Sequence, residues 1–260
     1  MKAKKSFGQH FLNREDIAER IANSLQRMTE YKHLVEVGPG RGMLTKYLLE
    51  RPEKLLVVEA DKDMVLYLNK YYPELKDRII FEDFLKIDFN NFLADTPFGL
   101  IGNFPYNISS QIIFKMLDFK VQIPELVGMF QKEMAERVVA KPGSKIYGAI
   151  SVLTQAFYEG EYLFTVDKSC FSPPPKVQSA VIRLSRKREL NLGCDALLFK
   201  RIVKQTFGQR RKMLRNTMKS FIDDPSVLQE ELFTKRPEVL SVEEFIQLTK
   251  RVEDLKNNQI

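Results

Sequence analysis

The apolar run Leu34-Val35-Glu36-Val37 passes directly into Gly38-Pro39-Gly40-Arg41-Gly42, and a helical pattern resumes at Met43-Leu44-Thr45-Lys46-Tyr47-Leu48-Leu49. A strand that ends in glycines and feeds a helix opens a doubly wound sheet, because a loop without side chains lets a ligand reach the backbone. The alternation continues downstream. Leu55-Leu56-Val57-Val58-Glu59 reads as the next strand, Met64 to Lys70 as a helix, and Ile79-Ile80-Phe81 as a third strand running into Glu82-Asp83-Phe84. Phe98-Gly99-Leu100-Ile101-Gly102 leads into Asn103, and Leu126-Val127-Gly128-Met129-Phe130 forms a fifth strand. This order predicts an α/β fold with a mainly parallel sheet and helices on both faces.

Upstream, Asn13 is expected to cap a helix through about Met28, with Ile17, Ile21, Leu25 and Met28 on one face. Beyond the fifth strand, Tyr147 to Tyr158 reads as a helix, and Tyr162–Val166 and Ala180–Leu184 as strands. Between those strands, Phe171-Ser172-Pro173-Pro174-Pro175-Lys176 is a stiff connection that its prolines exclude from any helix. From about Asp195 the pattern is helical to about Leu255. The expected domains are therefore residues 1–187, which hold the sheet, and a small all-α domain over residues 188–260.

Charge is unevenly spread. The chain of 260 residues carries a net charge of +7, yet twelve lysines and arginines between Arg183 and Lys219 face only Glu189 and Asp195. The densest knot, Gln209-Arg210-Arg211-Lys212-Met213-Leu214-Arg215-Asn216, reads as the start of a helix with a basic face. Such a face neutralises phosphates through counterion release whatever the base sequence, so Arg210, Arg211, Lys212 and Arg215 are expected to bind nucleic acid. No apolar run approaches the ~18 residues of a membrane span. The basic start Met1-Lys2-Ala3-Lys4-Lys5 lacks the apolar core of a signal peptide, so a cytoplasmic protein is expected. Cys170 and Cys194 lie in unrelated contexts, and the two histidines are His10 and His33, so neither a disulfide framework nor a metal site is expected. His33, just before an apolar strand, reads as structural.

Glu59 ends its strand roughly twenty residues beyond the glycine loop, where a carboxylate binds a ribose diol. A dinucleotide would prefer three glycines spaced to bring a helix N-terminus onto a pyrophosphate. Here the third glycine comes early, Pro39 stiffens the loop, and Glu36 precedes it. A carboxylate at that place suits a cationic, phosphate-free cofactor, and S-adenosylmethionine meets the description. Asp83 is expected to accept a hydrogen bond from the adenine amine of that cofactor, the plainer alternative being a turn or helix cap. At the fourth strand's end, Asn103 offers an acceptor to an amine, Pro105 stiffens the turn after Phe104, and Tyr106 offers a ring for stacking. An ordinary Asn/Pro turn is the bland reading of Asn103-Phe104-Pro105-Tyr106.

Several motifs together carry a resemblance. They are Phe7-Gly8-Gln9-His10-Phe11-Leu12, Glu36-Val37-Gly38-Pro39-Gly40, Asn103-Phe104-Pro105-Tyr106-Asn107-Ile108-Ser109, Gln131-Lys132-Glu133 and Ser144-Lys145-Ile146-Tyr147-Gly148. Phe171-Ser172-Pro173-Pro174-Pro175-Lys176-Val177, Gln209-Arg210-Arg211-Lys212 and Leu240-Ser241-Val242-Glu243-Glu244-Phe245 complete them. With these the chain resembles the ribosomal RNA small-subunit adenine dimethyltransferases nearly end to end. The resemblance implies a Rossmann-like, S-adenosylmethionine-dependent methyltransferase domain followed by the helical domain. It also implies that His10 and Leu12 touch the cofactor from the N-terminal arm, while Gly38, Glu59, Asp83 and Asn103 complete its site.

On this reading an adenine amine attacks the sulfonium methyl in line and S-adenosylhomocysteine leaves as the sulfur–methyl bond breaks, the amine's hydrogens being held by the Asn103 side-chain oxygen and the Phe104 carbonyl. Tyr106 stacks on the base, and Phe171 resembles the family's second stacking residue. The implied substrate is two adjacent adenines in a loop near the 3′ end of 16S rRNA, in the 30S subunit or its precursor, with the enzyme acting as a monomer. The family often carries Asn where His10 stands and a small or apolar residue where Arg41 stands. Three other readings share parts of the pattern: an antibiotic-resistance methyltransferase of large-subunit rRNA, a non-catalytic ribosome-assembly factor, and a nicotinamide oxidoreductase. The Phe171–Val177 and Gln209–Arg215 stretches favour the small-subunit family, and intact Glu59, Asp83 and Asn103–Tyr106 argue against lost catalysis.

Overall fold

The computed structural model describes Lys4 and residues 8–257; Phe7, the first residue of the N-terminal motif, and most of the basic start lie outside the described residues. The strands are β1 (Phe11–Leu12), β2 (His33–Val37), β3 (Lys54–Glu59), β4 (Ile79–Phe81), β5 (Phe98–Asn103), β6 (Glu125–Gln131), β7 (Tyr158–Val166), β8 (Phe171–Ser172) and β9 (Ser179–Arg186). The helices are α1 (Glu15–Ala22), α2 (Thr45–Leu49), α3 (Lys62–Tyr71), α4 (Asn90–Leu93), α5 (Ser109–Asp118), α6 (Lys132–Val138), α7 (Ala149–Gln155), α8 (Ala196–Gly208), α9 (Leu214–Thr217) and α10 (Val242–Asn257).

Seven strands form one sheet in the order β4-β3-β2-β5-β6-β9-β7. From β4 to β6 the pairs are parallel, and β9 runs antiparallel to β6. The central strands read as near-continuous apolar runs because both of their faces are covered. Phe98 to Ile101 and Leu126 to Phe130 are all buried. Strand order reverses beside β2, so the carboxyl ends of β2 and β5 flank the crevice where an open α/β sheet keeps its ligand. A separate two-stranded ladder pairs β1 with β8, Leu12 opposite Phe171.

Contacts divide the chain into two compact units, Met1–Ala135 with Glu159–Arg186, and Glu136–Tyr158 with Lys187–Ile260. A single cut near Arg188 overlooks the inserted stretch 136–158, whose helix α7 packs against α8. Within that second unit Tyr147, Phe207 and Phe245 form an aromatic chain with centroid spacings of 5.9 and 5.7 Å.

Three local expectations need correction. Helix α1 begins after Arg14 without an Asn13 cap and ends at Ala22, while Met28 is 44% exposed in a 3-10 turn. The cause is Glu125, a fully buried carboxylate that accepts the N–H groups of Gln26 and Arg27 and the Tyr31 hydroxyl, and so draws the chain out of the helix. The helix expected from Tyr147 to Tyr158 is the shorter α7, and Tyr158 already belongs to β7. Finally, Gln209–Asn216 is not one helix. Helix α8 stops at Gly208, Met213 is extended at φ −67° and ψ 154°, and α9 is a single turn.

Candidate active site

The site is built at the carboxyl ends of β2, β3 and β5. Gly38 N–H donates to the Val58 carbonyl (2.9 Å), and Gly40 N–H donates to a Glu59 carboxylate oxygen (3.3 Å). Gly40 sits at φ +57°, and a Cβ there would lie 3.1 Å from the Phe11 ring, so the loop passes close beneath the N-terminal arm. Glu36, which ends up 2% exposed, accepts a 2.7 Å bond from the Thr45 hydroxyl. Burial pushes its carboxyl up to about 8, against the opposing effect of that hydroxyl. Glu59 is also raised by burial, although N–H groups of Asp61 and Gly40 pull it the other way. None of these donors is charged, so a cationic ligand beside the pair would offset the effect of burial and draw both carboxyls towards their ionised form.

The N-terminal arm is fastened across this edge. Asp61, 1% exposed, accepts Lys4 Nζ at 2.6 Å and Gln9 Nε2 at 2.9 Å, and caps α3 through the Asp63 N–H at 3.0 Å. Burial alone would raise its carboxyl, but the bonds from Lys4 and Gln9 hold it below the ordinary range. Arg41 lies over the Phe11 ring, 4.6 Å from its centroid.

At the end of β5 the Asn103 Nδ2 donates to the His10 carbonyl at 3.1 Å. A carbonyl only accepts, which fixes the amide orientation and turns Oδ1 away from His10 as an acceptor. Phe104 is 1% exposed; its N–H donates to the Met129 carbonyl (3.1 Å) and its ring packs on Phe130, centroids 4.9 Å apart. The Pro105 carbonyl accepts the Ser109 hydroxyl at 3.1 Å, which ties the turn to α5. Tyr106 exchanges a 2.5 Å hydrogen bond with the Ser179 hydroxyl, and burial raises its phenol.

These groups line one cavity of about 750 Å³. Of the residues picked out from sequence, His10, Leu12, Gly38, Glu59, Asp83, Asn103, Phe104, Pro105 and Tyr106 all border it. Asp83 also caps its own turn, accepting the Leu85 N–H at 3.0 Å. Phe171 does not border the cavity. It is 3% exposed within the hydrophobic core, and its neighbour Ser172 reaches the cavity instead. Sequence reasoning missed Thr45, Asp61 and Ser179, and also Tyr72, which borders the cavity and donates its hydroxyl to the Gly42 carbonyl at 3.0 Å. Only Asp61 carried a readable signal, as an acidic N-cap directly before an amphipathic helix.

The cavity fits the proposed methyl donor: glycine main chain at close approach, two buried carboxylates and apolar walls. Among the described residues no group of three or more His, Cys, Asp or Glu is placed to hold a metal ion, and no helix is long and apolar enough to cross a membrane.

The basic residues are less uniform than their count. Arg183 is 8% exposed and bonds the Ser24 carbonyl (2.9 Å) and Glu161 (2.5 Å), while Arg186 donates to the Lys120 carbonyl (3.1 Å). In the second unit, Arg210 bonds Glu238 and the Ser144 carbonyl, both at 3.2 Å. Arg211 and Lys212 are exposed and Arg215 is half-buried.

A family model described as ribosomal RNA adenine dimethylase matches residues 1–253. The Ribosomal RNA small subunit methyltransferase A of Flavobacterium johnsoniae is 53% identical over 97% of this chain and 97% of its own length. The protein of that name from Bacteroides thetaiotaomicron is 53% identical over 98% and 95%. Among solved structures, a dimethyladenosine transferase from Plasmodium falciparum aligns at TM-score 0.80 and 23% identity, covering 95% of this chain and 98% of that one. The 23S rRNA methyltransferase ErmE aligns at TM-score 0.69 and 23% identity over 94% and 99%. The fold is thus a Rossmann-like methyltransferase fold with a C-terminal helical part.

Proposed function

The chain belongs to the ribosomal RNA adenine dimethylase family, and from that premise we propose that it dimethylates the N6 amines of two adjacent adenosines in a hairpin loop near the 3′ end of 16S rRNA, in the 30S subunit or its precursor. It is an S-adenosylmethionine-dependent rRNA adenine dimethyltransferase acting in small-subunit biogenesis. The reading includes a monomer working in the cytoplasm.

The carrying observation is the Asn103 amide, which borders the cavity and whose nitrogen donates to the His10 carbonyl, so that its oxygen is the acceptor left for an amine. S-adenosylmethionine, when bound, supplies an electrophilic methyl group on a sulfonium. Leu12, the main chain around His10 and Gly38, and the carboxylates of Glu59 and Asp83 would hold it. An aromatic amine is a weak nucleophile because its lone pair is delocalised into the ring. The Asn103 oxygen and the Phe104 carbonyl accept its two hydrogens and favour a more pyramidal nitrogen, while Tyr106 stacks on the base. Most of the rate gain comes from this positioning and from oriented dipoles rather than from a strong base. A second transfer needs room for the first methyl, and a cavity of about 750 Å³ supports that. A hairpin loop offers the base already unstacked, sparing the cost of opening a duplex. With Arg210 engaged by Glu238, RNA phosphates are met chiefly by Arg211, Lys212 and Arg215.

The test is transfer of radiolabelled methyl to small-subunit particles from cells lacking this modification, followed by identification of the labelled nucleoside. Dimethyladenosine in 16S rRNA is the expected product. Label confined to 23S rRNA would overturn the reading.

A further inference from the structure

His10 joins three segments of the first unit, and the reaction outlined above uses only its main chain. The carbonyl accepts Asn103 Nδ2 at 3.1 Å, the ring Nδ1 lies 2.8 Å from the Pro173 carbonyl oxygen, and the ring stacks on Tyr106. In that stack the centroids are 5.3 Å apart and the planes are inclined by 26°. The Pro173 carbonyl can only accept, so Nδ1 carries a proton, and the imidazole is fixed in orientation at one edge. Tyr106 is in turn fixed at its far end by the 2.5 Å contact between its hydroxyl and Ser179. A phenol ring anchored at its hydroxyl and backed on one face by an imidazole has only its opposite face left on which a base could stack.

We propose that the His10 imidazole is a positioning residue for the target adenine: it backs the Tyr106 ring and, through the Pro173 carbonyl, ties the Asn103–Tyr106 turn to the proline-rich segment. This rests on the adenine-methylating reading above and assigns to the side chain a substrate-side role. The ring and the donor are separable chemically. His10→Phe keeps a ring that can stack and loses the Nδ1 donor. His10→Asn keeps a short donor and loses the ring. Both keep the main-chain carbonyl that orients Asn103.

The experiment measures, for wild type and both variants, the dissociation constant for S-adenosylmethionine and the kcat and KM for undermethylated small-subunit particles at saturating donor. Donor affinity should stay within about twofold of wild type in both variants. kcat/KM for the particle should fall about fivefold in His10→Asn, the scale of one aromatic pair, and less in His10→Phe. Combining His10→Asn with Tyr106→Leu should cost less than the two separate losses multiplied, because the imidazole acts through that ring. A parallel loss of donor affinity and particle turnover in both variants would overturn the proposal, and so would unchanged kinetics in His10→Asn. Wild-type protein that methylates no adenine would instead remove the underlying reading, and the target-base role with it.

Discussion

Glu36 and Asn103 show how a single residue's surroundings set what it can do. Glu36 is buried beside a hydroxyl, and its carboxyl rises from 4.5 to about 8. Between those values the folded protein holds a proton that the unfolded chain has released, so this residue's contribution to stability is full below about 4.5 and is lost as pH rises towards 8. Glutamine never ionises. The melting temperature of Glu36→Gln minus that of wild type, both without cofactor, should therefore climb steadily from about pH 5 to about pH 8. A flat difference would mean that Glu36 does not titrate in that window. Asn103 is a residue of geometry instead. Asn103→Ala should lower kcat by about 10²–10³, the cost of losing one oriented group at a reacting centre, with particle binding largely retained. Undiminished single-turnover methylation would remove Asn103 from the mechanism. That Glu59, Asp83 and Asn103 border the cavity was legible because the ends of strands place them, whatever the packing around them. Phe171 was not, since a two-residue strand has no period to say which side faces the core.

At the scale of elements, the sheet's central strands were readable, while the two-residue strands β1 and β8 and the ends of helices were not. Parallel central strands are apolar on both faces, and β2, β3, β5 and β6 showed that directly in their residues. Helix α1 was overestimated because the group that ends it, Glu125, lies about a hundred residues downstream. No local pattern encodes such a partner. One pairing does have a sequence trace. Gly102 stands opposite Gly128 in the β5–β6 ladder, and the space they leave is filled by Phe104. A Cβ on Gly128 would fall 2.0 Å from the Phe104 ring. Gly128→Ala should accordingly cost about 1–3 kcal/mol, the usual range for overpacking, and depress methyl transfer by shifting the main chain that carries the Phe104 carbonyl. Adding Phe104→Leu should recover much of the lost melting temperature, because it removes ring atoms while keeping that carbonyl. An unaltered melting curve for Gly128→Ala would show that the ladder adjusts without moving the turn.

Over the whole molecule, the asymmetry of charge was legible but its availability was not. The net charge of +7 is exceeded by the stretch from Arg183 to Lys219, yet counting cations does not separate those that hold the fold from those that meet a partner. Arg183 is buried against Glu161, and Arg210 bridges Glu238 and the Ser144 carbonyl inside the second unit. A guanidinium held by a carboxylate and a carbonyl has fewer donors left for phosphate than an exposed neighbour has. Two variants should therefore separate cleanly. Arg211→Gln, Lys212→Gln and Arg215→Gln together should reduce the slope of log affinity against log salt for small-subunit rRNA by about 2, at roughly 0.7 per single-strand phosphate contact, and leave the melting temperature close to wild type. Arg210→Gln alone should do the opposite, lowering the melting temperature with little change in slope, because the bonds it loses are internal. The measurement is a salt titration of RNA binding paired with thermal denaturation. If Arg210→Gln shifts the slope as much as a full phosphate contact and leaves stability intact, then its bond to Glu238 yields to RNA, and the basic surface extends through Arg210 after all.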